Sequence, residues 1–176
     1  KKIVSDNQQD SSTLTKYAQR LAETGEIKLA VDLLENALKN PHRDWQKYEL
    51  YTIQHTLLEI FEKAGWYDRQ LLFLAACIDD QNETDTKNLC QKYLTVLLKA
   101  DREPEADKIA TAWITPVTAD AKLSKQDMEK AEAAVNYMLG NIQQYNYSSS
   151  NWMDERWLDT LRRAVEISAF KTDTLE

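Results

Sequence analysis

Apolar residues recur every three or four positions along most of the chain, the spacing that gathers them on one face of an α-helix. Leu14, Tyr17 and Leu21 make one such stripe, and Ile27, Ala30, Leu33, Leu34, Ala37 and Leu38 make a second. Gly25, preceded by Thr24, separates the two with so few residues to spare that the second helix must fold back along the first as an antiparallel hairpin. Asn40-Pro41 ends the second helix. Asp44 is placed to cap a long third helix reaching to Ala64, Gly65 breaks it, and Tyr67 to Ile78 carry a fourth. Asp85 or Thr86 opens a fifth helix through Lys99, and Pro104 suits the first turn of a sixth that stops before Thr115-Pro116. The pattern is three helical hairpins in succession.

Beyond them, Ser124 can cap a helix with Met128, Ala131, Val135, Met138, Leu139 and Ile142 on one face, interrupted near its end by Gly140. A polar, aromatic joint from Gln143 to Ser150 leads to Asn151 as a cap and to a last helix holding Trp157, Leu158, Leu161, Val165 and Phe170. A stack of helices leaves its final apolar face open, and this pair is read as the element that covers it. The first ten residues show no periodicity and are expected to fray. The expected organisation is therefore a tail over 1–10, three hairpins over 11–117 and a covering helical pair over 118–176.

Laying the hairpins over one another shows an internal repeat. Lys16-Tyr17-Ala18 and Leu21-Ala22 match Lys92-Tyr93-Leu94 and Leu97-Leu98, and Ala30 and Leu33 match Ala106 and Ile109, all at an offset of 76 without a gap. The second hairpin enters with Leu57, Leu58, Phe61, Gly65, Tyr67, Leu71, Leu74 and Cys77, spaced 40 after the first and 36 before the third. This pattern resembles the tetratricopeptide repeat. Tyr17, Ala18 and Leu21 fill that family's first-helix positions, Gly25 its turn, and Ile27, Ala30, Leu34 and Ala37 its second helix. The later copies depart from it, with Gln70 in place of a small residue, Asp101 at the turn glycine and Trp113 at a small position. The resemblance, over residues 12 to 115, implies an all-α fold whose hairpins stack as a right-handed α-α superhelix, closed by C-terminal capping helices.

Composition narrows the classes. Three glycines and three prolines in 176 residues are too few for the turns of an all-β fold. A net charge of −7 opposes the counterion-release binding on which nucleic-acid proteins depend, and no apolar run approaches the ~18 to 20 residues of a membrane span. Neither nucleic acid nor membrane insertion is expected. The chain begins at Lys1 without an initiator methionine, which leaves trimming or processing open, and with it the choice between cytoplasm and a secreted or periplasmic location. Cys77 and Cys90 have neither the spacing nor the neighbouring histidines of a metal or redox motif. They read as buried thiols, with a disulfide left open.

Catalytic chemistry is thinly represented. The two histidines, His42 and His55, fall in different elements, and no phosphate-binding, dinucleotide, zinc-protease or serine-nucleophile motif occurs. An enzyme would have to draw on His55, Glu59 and Glu62, which share one helix. No cofactor or metal is expected.

The tetratricopeptide resemblance implies a concave groove lined by the first helix of each hairpin, on the side away from its large core residues. Counted from Tyr17, Leu57 and Tyr93, the groove positions are Ser12, Thr15, Gln19 and Ala22, then Thr52, His55, Glu59 and Glu62, then Asn88, Gln91, Thr95 and Leu98. Hydroxyls and amides there suit an extended peptide backbone. The family's carboxylate clamp is not expected, because Thr15, Gln19 and Thr56 stand where its first two repeats carry lysine and asparagine, and only Lys92 in the third is basic. Trp45, Trp66, Tyr145, Tyr147 and Trp152 fall in joints or near helix ends and are candidate partner anchors. The expected function is non-catalytic recognition of a protein or peptide segment. The alternatives are a structural spacer or oligomerisation element, of unknown oligomeric state, and the enzyme above.

Overall fold

The computed structural model of the chain describes residues 10–43, 45–80, 85–117 and 123–145, together with Arg162. Among the described residues the protein is all-α, with no strand: α1 (Ser11–Glu23), α2 (Ile27–Lys39), α3 (Lys47–Ala64), α4 (Tyr67–Asp79), α5 (Thr86–Lys99), α6 (Glu103–Ile114) and α7 (Lys125–Tyr145). None of these helices is long and apolar enough to cross a membrane.

Local chemistry sets the helix starts. Asp10 caps α1, its carboxylate accepting from the amides of Ser12 at 3.1 Å and Thr13 at 3.2 Å, so it belongs to the helix and not to the expected tail. The Thr13 hydroxyl, followed by these amides, holds its pKa below the usual carboxylate value. At α3, Glu49 reaches back to accept from the Gln46 amide at 3.0 Å. The expected cap, Asp44, lies outside the described residues. Pro104 sits in the first turn of α6, as expected. At α7 the Ser124 hydroxyl accepts from the Asp127 amide at 3.1 Å while the Asp127 carboxylate accepts from the Ser124 amide at 3.3 Å. Gly140 does not interrupt α7, which runs on to Tyr145, because a glycine inside a helix costs only about 1 kcal/mol relative to alanine.

One turn is used three times. Gly25, Gly65 and Asp101 have φ of 90°, 68° and 56°, all left-handed. In each case the following amide reaches back five residues, Glu26 to the Leu21 carbonyl at 2.8 Å, Trp66 to Phe61 at 2.9 Å and Arg102 to Leu97 at 2.9 Å, so the helix ends in a Schellman turn. The third copy keeps this geometry without glycine, and Asp101 is the non-glycine residue described with positive φ. A left-handed L-residue costs roughly 1 to 2 kcal/mol, offset in part by the extra unfolded-state freedom of glycine. Asp101→Gly should therefore raise stability by about 0.5 to 1 kcal/mol, read as a Tm gain of about 1 to 4 °C, whereas Asp101→Ala should not.

The chain divides into two compact units between Gln70 and Leu71, inside α4. In the first, α1 and α2 pack together and α3 lies against both, over a core that includes Leu14, Ala18, Val31, Leu34, Leu57 and Phe61. Gln70, which departs from the repeat pattern, is fully buried and donates from Nε2 to the Leu58 carbonyl at 3.2 Å, tying the first turn of α4 to α3. Its Oε1 is the buried side-chain oxygen or nitrogen left without a partner among the described residues. Arg69 pairs with Glu35 at 2.7 Å and lies over the rings of Phe61 and Trp66, at 5.6 and 5.4 Å from their centroids.

In the second unit α5 and α6 pack together and α7 lies against both. Ile78, Cys90 and Ala133 form a buried cluster flanked by Leu89, Tyr93 and Trp113, with the Tyr93 and Trp113 rings 6.2 Å apart. Burial, with the carboxylate of Glu105 adding to it and Arg102 opposing, raises the Tyr93 pKa. Side chains of α7 also serve the end of α4: the Gln126 amide donates to the Ile78 carbonyl, and the Lys130 ammonium stands 3.9 Å from Asp79.

Several positions on the predicted apolar faces are not fully buried. Tyr17 is exposed, because α1 meets α2 and α3 at once through Leu14, Thr15 and Ala18, which turns Tyr17 outward. Cys77 and Ile109 are only half-buried, since Leu74 and Ile78 take the inward positions of α4 and Ala106 and Ala110 those of α6. Neither cysteine forms a disulfide. A thiol reagent applied to the native protein should accordingly label Cys77 and spare the fully buried Cys90. Equal labelling of both before unfolding would contradict the burial described.

Candidate functional site

Of the helices expected to line a groove, α1 and α3 lie in the first unit and α5 in the second. On α1 the expected Thr15 is a correction: it is buried, and its hydroxyl donates to the Ser12 carbonyl at 3.0 Å. Threonine is short enough to fit where α1 meets two helices, and bonding to its own backbone removes the cost of burying the hydroxyl. Gln19 is half-exposed beside a shallow hollow of about 440 Å³ lined by Thr13, Lys16, Tyr17, Gln19, Arg20 and Glu23.

The other hydroxyls are also committed locally. Thr52 donates to the Tyr48 carbonyl at 3.0 Å, and Thr95 to Gln91 at 2.8 Å. Their protons are spent on their own helices, so the uncharged side-chain donors left at the expected groove positions are chiefly the amides. Of these, Asn88 already donates to Asp85 at 2.7 Å, while Gln91 is half-exposed on α5.

On α3 the structure brings His55 and Glu59 together, with Nδ1 and Oε1 3.4 Å apart and side chains 51% and 40% exposed. Glu62, one turn further, is half-buried. Towards the start of the helix the face continues with Tyr51 and Tyr48, which are 50% and 76% exposed. The Tyr51 ring lies 6.2 Å from the His55 ring. Neither tyrosine was among the expected site residues. The available signal was their position four and seven residues before His55, on the helix face away from Leu57 and Phe61.

The expected aromatic anchors divide. Trp66 is half-buried beneath the Arg69 guanidinium, which makes it part of the first unit's packing. Trp45 is half-buried beside His42, with ring centroids 6.4 Å apart. Tyr145 falls in the last turn of α7, and Tyr147 and Trp152 lie outside the described residues. Among the described residues no three histidine, cysteine, aspartate or glutamate side chains are placed to hold a metal ion.

No protein-family model matches this chain, and no curated protein or solved structure matches it either.

Proposed function

We propose that the chain is a tetratricopeptide-like helical-repeat protein acting as a non-catalytic recognition module, which binds an extended segment of a partner protein through exposed amides and carboxylates of its helices. The observation that carries this reading is the threefold recurrence of the same left-handed turn at Gly25, Gly65 and Asp101, with two of these joints at the offset of 76 that also relates the helix pairs. The recurring triad supports it: a helix pair plus the following helix lying against both occurs in each unit. Stacks of this kind use extended surfaces and not enclosed pockets. The open placement of His55 and Glu59 on α3 agrees with recognition better than with acid–base catalysis, which depends on groups held where water can be excluded.

Gln19→Ala, Glu59→Ala and Gln91→Ala combined should weaken capture of the partner from native lysate while leaving helicity and Tm nearly unchanged, because exposed substitutions usually stay within about ±0.5 kcal/mol. Capture that survives this change, together with a concentration-dependent mass in light scattering, would favour the spacer or oligomerisation reading.

A further inference from the structure

The strip formed by Tyr48, Tyr51, His55 and Glu59 carries a chemistry of its own. It runs along α3 for about 16 Å at ~1.5 Å per residue, presenting two exposed aromatic rings, a third ring against the second, and a carboxylate at its end. We infer that this strip binds an arginine-bearing extended segment of the partner protein, with guanidinium groups lying on the tyrosine rings and pairing with Glu59. The inference rests on the function proposed above and names the chemistry of the segment.

Charge complementarity argues for a cationic occupant. Glu59 stands within the strip, Glu62 follows one turn on, and the chain as a whole carries −7. Between the two cationic side chains, arginine fits better: its planar group stacks on an aromatic face and forks onto a carboxylate, which an ammonium does not. The protein already holds one arginine this way. Arg69 lies over Phe61 and Trp66 while its guanidinium pairs with Glu35 at 2.7 Å. The strip on α3 offers the same two kinds of contact, exposed aromatic rings and a carboxylate. The exposed tyrosines have a further advantage as contact residues, since each supplies a large ring at little conformational cost.

The test uses fluorescein-labelled twelve-residue peptides of glycine and serine carrying two arginines four residues apart. That spacing spans roughly 13 Å in an extended chain, close to the distance along α3 from Tyr51 to Glu59 at about 1.5 Å per residue. Matched peptides carry two lysines, two glutamates or neither. By fluorescence anisotropy the arginine peptide should bind at least about tenfold more tightly than the neutral one, the size expected for two stacked cations and an ion pair. Tyr48→Ala with Tyr51→Ala should abolish that advantage, Tyr48→Phe with Tyr51→Phe should keep it within about twofold because the rings remain, and Glu59→Gln should reduce it severalfold. Lys16→Ala with Arg20→Ala, in the hollow on α1, should leave it unchanged.

An arginine peptide that binds no better than the neutral one overturns the inference, as does an equal loss in the α1 variant. If the neutral or glutamate peptide binds best and depends on Gln19 and Gln91, this inference falls while the recognition module stands. If no extended peptide binds at all, both fall.

Discussion

Leu34→Ala is expected to lower the unfolding free energy by about 2 to 5 kcal/mol, the range for a leucine truncated inside a close-packed core. Leu34 lies fully buried on α2, the helix that packs against both α1 and α3. Removing its isobutyl group loses the transfer free energy of the buried carbons and leaves a void that three packed helices can only partly close. Domains of this kind are stable by roughly 5 to 15 kcal/mol in total, so the variant should melt many degrees lower. Leu29→Ala on the same helix is the control. That side chain is 52% exposed, and its loss should stay within about 0.5 kcal/mol. Urea unfolding of the two variants separates the outcomes, and equal small losses would show that the burial of α2 is misassigned.

Raising the pH should destabilise the protein through Cys90. Burial pushes its thiol from an ordinary 9.0 up to about 12, with the carboxylates of Glu129 and Asp79 acting in the same direction and the Lys130 ammonium opposing them. Below pH 9 the thiol is protonated in both folded and unfolded chains, and its contribution to stability is fully present. Between about pH 9 and 12 the unfolded chain releases the proton while the folded one retains it, so stability is lost progressively across that window. The full difference corresponds to about 4 kcal/mol. Tyr93, also raised by burial, adds to the alkaline loss, but it is present in a Cys90→Ala variant too and so cancels from the comparison. Urea midpoints measured from pH 8 to 11 should fall more steeply for the native protein than for Cys90→Ala, and parallel curves would show that the thiol is not sealed from water.

The same position illustrates how the repeat preserves its core while exchanging its residues. Cys90 matches Leu14 at the offset of 76, and both are buried. Ala18 on α1 and Leu34 on α2 correspond to Leu94 on α5 and Ala110 on α6, so the large and small residues have changed helices, and all four are fully buried. Volume at the contact between two helices has to be conserved, but which helix supplies it does not. That is why a pattern of large and small positions is legible across copies whose identities differ.

The candidate site was less legible. Periodicity identifies which side of α3 faces outward, and His55 and Glu59 can be read from it; Tyr48 and Tyr51 lie on the same side, but an aromatic residue near a helix start fits a core as readily as a surface. Thr15 failed in the opposite sense. Its hydroxyl read as a groove donor, and only the packing of α1 against two helices at once makes that position an interior one.

What the sequence by itself determined was therefore local. Helix positions, the capping of α7 by Ser124, Pro104 in the first turn of α6 and the placing of the turns all follow from backbone preferences acting over a few residues. The left-handed turn at Asp101 was visible only through its alignment with Gly25. Tertiary structure alone decided which edge of each helix is buried, where a helix touching two neighbours hides one edge and frees another. It placed Gln70 and Arg69 against α3 and α2, put the break between compact units inside α4, and drew Gln126 of α7 to the end of that helix. These outcomes depend on residues far apart in the chain competing for the same space, and a hydrophobic period describes one helix at a time.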